Sequence, residues 1–434
     1  MSTRVTFLAG LAATAIAVGA CSSAATPVPT PEPTPVPTPA ASEEASAPAS
    51  AGASAGASGS GLGANSFDSA FTAMAQLTSV TSAGTGLVGV LLPDTTTSAR
   101  YVSYDLPYLT QAFTAAGYKT TDFKIDNAGG VDATQLSMAQ ADITAGAKVL
   151  VADPIDATVG NQIQAAAAAA GIPMISYDRA TFQGTNTYYV SFDNVQVGKL
   201  IGQGFMQCVS DWSVASPMVF ELDGGEDTDP NAISFAAGYN NVLWGTPLTN
   251  ATTLQAGTTN SNGYTLVGDQ IAPGWANDKG GTIFTQAYTA NKNINATVEA
   301  NDGLANAVIT ALKAAGVPAK KIPTTGQDAT LQGMESILQG FQCGSVYKPI
   351  YLEAQAAVAL ATYLRAGQTP PAALVNGTTT DPKNSATTEP AVLETPEWVN
   401  AANMESTVIA DKFISATDLC TAVGQSVCTS AGIQ

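Results

Sequence analysis

The chain has 434 residues, 45% of them apolar and only 12% charged, with a formal charge of −18 and no histidine. So acidic a chain lacks the clustered Lys and Arg that phosphate binding needs, which excludes a nucleic-acid surface. The missing histidine excludes a Ser-His-Asp or Cys-His hydrolase and removes the commonest metal ligand, while the length leaves room for two domains.

The first residues carry the pattern of an export signal. Arg4 supplies the positive end, 5–18 is an apolar run too short to span a bilayer comfortably, and small residues follow. Val18-Gly19-Ala20-Cys21 resembles a bacterial lipobox, in which the cysteine is lipidated and becomes the first mature residue. This predicts a signal peptide over 1–20 and an extracytoplasmic protein held to the outer face of the cell membrane through Cys21. From 21 to 64 the chain is Thr-Pro repeat and then Ala-Ser-Gly low complexity, too poor in apolar residues to fold. It reads as a tether, whose Pro-rich part alone would span roughly 45 Å as polyproline II.

Apolar positions at helical spacing (Phe67, Phe71, Met74, Leu77) suggest a short helix before the regular part begins. Strands are then expected over 87–92, 122–126, 149–152 and 172–177, with another at 188–192. Between them lie helices marked by Leu106, Leu109 and Phe113, by Leu136, Ala139 and Ile143, and by the alanine run 158–170. Strand alternating with helix through short loops predicts a parallel sheet covered on both faces.

The alternation restarts after Asn194. Helices are expected over 195–211, 231–244, 278–289, 304–315 and 331–338, with strands over 218–222, 264–268, 296–300 and 322–325. The fold class is therefore α/β, with two doubly wound lobes. Lobe one takes 65–193 and lobe two 194–347. Strand 343–347 and helix 350–366 look like a return to lobe one over 348–375, and the tail 376–434, with a possible strand at 391–393, returns to lobe two.

Cys420 and Cys428 are close enough in sequence to close a small loop and form the favoured disulfide. Cys208, on an expected helix, and Cys343, at the head of an expected strand, fit buried free thiols at least as well as a bridge. No CxxC spacing suggests zinc.

The polar residues just beyond the strand ends are the informative set. Lobe one offers Arg100 and the pair Asp178-Arg179. Lobe two offers Asp229 and Asn231, Trp275, Asn301-Asp302 and Asp328, and Lys348 follows strand 343–347. In an open α/β sheet ligands bind outside the carboxyl ends of the strands, so these groups are expected to meet in one cleft. Their types suit a small polyol: Asp and Asn exchange hydrogen bonds with hydroxyls, Arg forks toward adjacent oxygens, and Trp covers the C–H face of a sugar ring. Hydrogen bonds to charged groups contribute about 1.5–3 kcal/mol each, so four or five cover the roughly 8 kcal/mol of a micromolar complex before ordering costs. Taken singly each has a plainer explanation, since an Asp after a strand is commonly a helix cap. Recurrence after six strands points to a site, with one or two members serving as caps.

On these residues the chain resembles the periplasmic sugar-binding proteins of ABC importers, which have the type I periplasmic-binding-protein fold, and most closely their xylose-binding members. The matching blocks are ISYDR at 175–179, YVSFDNVQVG at 189–198, VGDQIAPGW at 267–275, Asn301-Asp302, TGQDATL at 325–331 and VYKP at 346–349, in order across 87–413. The resemblance implies a cofactor-free, non-enzymatic monomer that holds a pentose, D-xylose first, through Arg100, Asp178, Arg179, Asn231, Trp275, Asn301, Asp328 and Lys348, with Asp229. It also implies hinges near 192–194, Lys348 and Asn376, and an ABC permease as partner. A sensor kinase or chemoreceptor would read the same closed form. The acidic segment 221–230, the polar stretch 250–262 and the C-terminal cysteine loop depart from the family pattern. A glycosidase built on Asp178 and Asp328 is disfavoured because charged neighbours would keep both acids ionised. A repressor of the lactose-repressor type would need a helix-turn-helix where this chain has a lipobox.

Overall fold

Alternating apolar runs and amphipathic stretches fold, in the computed structural model, into two α/β lobes, with residues 62–434 described apart from 97, 99, 183–186 and 247–253. The expected export signal, Cys21 and nearly all of the tether lie outside the described residues. Among those described, no helix is long and apolar enough to cross a membrane.

Lobe one starts with 3-10 turns at Ala64–Ser66 and Thr72–Leu77 and helix α1 (Thr78–Ala83). It then alternates β1 (Leu87–Leu92), α2 (Leu106–Ala115), β2 (Phe123–Asn127), α3 (Asp132–Thr144), β3 (Ala147–Ala152), α4 (Ala157–Ala169), β4 (Met174–Tyr177) and β5 (Thr187–Phe192). Lobe two follows with α5 (Asn194–Asp211), β6 (Met218–Gly224), α6 (Pro230–Trp244), β7 (Thr265–Ala272), α7 (Asn277–Ala290), β8 (Ala296–Glu299), α8 (Asp302–Ala314), α9 (Leu331–Leu338) and β9 (Ser345–Tyr347). The chain returns to lobe one for α10 (Ile350–Arg365), β10 (Gly377–Asp381) and β11 (Asn384–Glu394). It crosses again to β12 (Glu397–Val399) and ends in α11 (Ala416–Val423) and α12 (Gln425–Ser430).

The lobe-one sheet has the order β10-β11-β5-β4-β3-β1-β2 and is parallel except at the β10–β11 hairpin. Its strands are near-continuous apolar runs because helices cover both faces. Helices α3 and α4 bury Ala139, Val159 and Ile163 on one face. The other face receives α2 and α10, and thirteen of the sixteen residues of α10 are buried, which is why that helix is alanine-rich and almost uncharged.

In lobe two β6 lies between β7 and β8 in a parallel sheet, and β9 pairs antiparallel with β12. The expected strand 322–325 runs extended between β8 and β9 without a regular ladder. The Thr325 amide donates to Glu299 Oε2 (2.9 Å) and the Glu299 amide to Thr325 Oγ1 (2.9 Å), so side chains replace backbone partners there. Helices α5 and α6 touch along their backbones at Gly198, where any Cβ would lie 2.0 Å from the Phe235 carbonyl oxygen.

Two expectations about the layout are corrected. Residues 391–393 belong to β11, which pairs with β5 and so extends the sheet of lobe one rather than lobe two. The third crossing consequently falls at 395–396. Asn376 stays in lobe one, bonded to the backbone of Leu393 through both ends of its amide (3.0 and 2.9 Å). Strand 343–347, read as part of the return, instead lies in lobe two, where Val346 enters the apolar core, while the return to lobe one begins at Lys348, the boundary expected from the sequence.

Cys420 and Cys428 are bonded, and so are Cys208 and Cys343, which join the C-terminal half of α5 to the approach to β9 across 135 residues. For this second pair the bridge holds and the free-thiol alternative does not.

Candidate functional site

The carboxyl ends of β1 and β4 in lobe one face those of β6, β7 and β8 in lobe two, and between them lies a narrow cavity, about 340 Å³ of non-atom space when its open mouth is included. Its walls are Ser98, Arg100, Tyr101, Asp178 and Arg179 from lobe one, Asn231, Phe235, Trp275, Asn301, Gln327 and Asp328 from lobe two, and Lys348 at the crossing. Eight of the ten residues singled out in the sequence therefore meet in one place.

Arg100 organises the lobe-one wall. Its Nη1 donates to Asp178 Oδ1 (2.8 Å), Nε and Nη2 to the two oxygens of Asp105 (3.0 and 2.9 Å), and Nη2 also to Glu353 Oε2 (2.8 Å). A guanidinium has five N–H donors, so these bonds, among the described residues, leave one on Nη1 for a ligand oxygen. Burial opposes charge on Asp178, but Arg100, Lys348 and Arg179 overcome it and hold this carboxyl below its ordinary range. It is an ionised acceptor, the form that hydroxyl donors prefer. Burial pushes Glu353 up to about 8 even with Arg100 against it. Arg179 donates through Nη1 to Asp153 Oδ1 and to the Pro154 carbonyl (both 3.1 Å).

Lobe two supplies amides and rings. Asn231 sits in the first turn of α6, where its Oδ1 accepts from Asn194 Nδ2 (2.8 Å) and its Nδ2 donates to the Asp178 carbonyl oxygen of lobe one (3.0 Å). Phe235, one turn further on, meets Trp275 edge to face at 6.2 Å. Trp275 packs on Gly224, where a Cβ would lie 1.9 Å from its ring, so the Gly-Gly pair at 224–225 is a steric requirement of the site. Asn301 caps α8 through the Leu304 amide (2.9 Å) while bordering the cavity. Lys348 Nζ lies 3.1 Å from Asp328 Oδ1 and 4.0 Å from Asp178 Oδ1, joining acids of both lobes.

Two of the expected contacts are not in the cavity wall. Asp229 caps α6 through the Asn231 and Ala232 amides, and its Oδ2 accepts from Trp275 Nε1 (2.8 Å), so it positions the ring instead of facing a ligand. Asp302 turns away from the cleft and accepts from Thr330, Gln342 and Ser345, and burial pushes it up to about 7. Consecutive residues at a helix start point about 100° apart, so only one of Asn301 and Asp302 can face the gap. Sequence reasoning missed Ser98, Tyr101, Phe235 and Gln327. Phe235 had a signal, four residues after Asn231 on the same helix face.

Asp178, Trp275 and Asp328 all have left-handed backbones, with φ of 58°, 57° and 88°. That region costs roughly 1–2 kcal/mol for a residue with a Cβ, and such strain gathers where a side chain must be aimed at a ligand.

Residues 88–369 match the family model described as periplasmic binding protein domain. A D-xylose-binding periplasmic protein of Escherichia coli K12 is 34% identical over 296 residues, 68% of this chain and 82% of that protein. A multiple sugar-binding periplasmic receptor of Rhizobium radiobacter is 30% identical over 346 residues, 77% of this chain and 92% of that protein. A solved carbohydrate transporter solute-binding protein of Chloroflexus aurantiacus, in complex with D-glucose, is 26% identical with a TM-score of 0.63, covering 77% of this chain and 98% of that one.

Proposed function

This chain belongs to the periplasmic binding protein family, and on that premise we propose that it captures a monosaccharide between its lobes and delivers it to an ABC permease. Its relatives are sugar-binding proteins of the periplasm rather than enzymes. The sugar is a pentose, D-xylose foremost, and the protein works tethered to the outer face of the membrane through a lipid on Cys21. The observation that carries the reading is the two-sided wall. Arg100 and Asp178 face Asn231, Trp275 and Asn301 across one cavity, so a ligand touching both sides favours the closed arrangement over the open one. The neutral aromatic pair Phe235–Trp275 opposite an ionised Asp178 fits a ring with one apolar face and several hydroxyls.

Calorimetry with D-xylose, L-arabinose, D-ribose and D-glucose tests it. A micromolar Kd for a pentose, about 8 kcal/mol of binding, is expected, and no heat from any of the four at millimolar concentration would overturn it. The mass of protein extracted from its own membranes reads the lipid on Cys21 in the same preparation.

A further inference from the structure

A second cavity lies against the first. It holds about 900 Å³ of non-atom space, including its open mouth, and Arg179 and Trp275 form part of the wall of both. Like the inner cavity it is built by both lobes. Ile155 and Ala180 of lobe one give it an apolar side, and Glu226, Thr228 and Gly274 of lobe two close the other. A monosaccharide in the inner cavity would leave this space to water. A buried donor at the boundary also lacks an acceptor: Arg179 Nε has no hydrogen bond, and Asp229 Oδ2 stands 3.8 Å away, beyond bonding distance. Leaving a buried N–H unpaired is costly, and an ether or hydroxyl oxygen lodged between the compartments would satisfy it.

We propose, building on the pentose reading above, that the paired cavities accept a neutral disaccharide of pentoses, one sugar in each, with the linking oxygen beside Arg179. The carboxylates of Asp156, Glu226 and Asp229 around the outer cavity disfavour acidic sugars. Two properties make the outer position worth occupying. The apolar wall takes the C–H face of a second ring, and because both lobes supply that wall its occupant adds to closure.

Calorimetry of the full chain with D-xylose and with xylobiose, the β-1,4-linked disaccharide, tests this. Xylobiose is expected to bind within tenfold of xylose. In Thr228→Trp, and independently in Ala157→Phe on the facing wall, xylobiose affinity should fall at least tenfold while that for xylose stays within twofold. Melting curves establish that each variant is folded, and having one on each lobe keeps the test decisive. Xylose binding with xylobiose more than a hundredfold weaker overturns this inference alone, as do variants that weaken both sugars equally. Binding of neither sugar overturns the pentose reading and this inference together.

Discussion

The two walls of the cleft solve the same problem with different materials. On lobe one the wall is an ionic lattice in which Arg100 is bonded to Asp105, Asp178 and Glu353, three acids drawn from the helical turn that leads into α2, a strand end and a helix that comes 253 residues later. On lobe two, Asp328 and its partner Lys348 apart, it is a set of amides and rings fixed by local geometry: Asn231 and Asn301 at helix starts, and Trp275 by Gly224 beneath it and Asp229 at its nitrogen. The first wall is part of its lobe's structural integrity, whereas the second divides its duties: Phe235 and Trp275 belong to the core of their lobe, and the amide of Asn301 serves only as a cap and at the cavity.

The strongest way to break that comparison is Arg100→Ala. Removing the one cation shared by three buried acids should cost about 3–5 kcal/mol of stability as well as sugar affinity, read by urea unfolding and calorimetry. If stability holds and only binding is lost, the lattice is not structural. Asn301→Ser sharpens it from the other side. Serine keeps the cap of α8, so the variant should unfold like the parent protein to within about 1 kcal/mol yet, without the amide at the cavity, bind its sugar roughly tenfold more weakly, about 1.4 kcal/mol. A stability loss as large as that of Arg100→Ala would erase the distinction.

The smallest effect concerns protons. Burial pushes Glu353 of lobe one and Glu299 of lobe two each up to about 8. As pH rises from the unfolded carboxyl value near 4.5 toward 8, the unfolded chain gives up these protons before the folded one does. Stability therefore falls through that window and is greatest on its acid side. Below it the trend reverses, because Asp178 is held below its ordinary range and its contribution is lost on protonation. The melting temperature should drop by at least about 3 °C between pH 5 and pH 8. Glu299→Gln should flatten the drop without touching the cleft, whereas Glu353→Gln should flatten it and also perturb binding through Arg100.

What was legible in the sequence was the set of short polar groups at the ends of apolar strands, because the parallel α/β arrangement fixes where those ends go. Asp178, Asn301 and Asp328 were found that way. Glu353 was not, although an acid in so apolar a helix is itself a signal. Its partner is remote in sequence, and only the docking of α10 brings the two together. The Cys208–Cys343 bond was open for the same reason, as nothing local to either cysteine specifies a partner 135 residues away. Asp302 was misassigned because type and position could not tell which of two adjacent polar residues turns inward. The third crossing was misplaced because β11 is an extra parallel strand beside β5, a pairing set by lateral fit rather than by anything in 384–394.

The late position of α10 bears on how the molecule is made. A nascent chain that has reached Tyr347 already contains every strand of lobe two except the edge strand β12, while lobe one, begun far earlier, still has one side of its sheet uncovered by the helix meant for it. The half synthesised first thus waits for its cover until the strands β6 to β9 of the inserted lobe have been made, and Val88, Val90, Val149 and Val151 stay without α10 throughout that interval. The interval in which this polypeptide most needs shielding from aggregation during export is therefore set by the length of the inserted lobe, not by the size of the unfinished one.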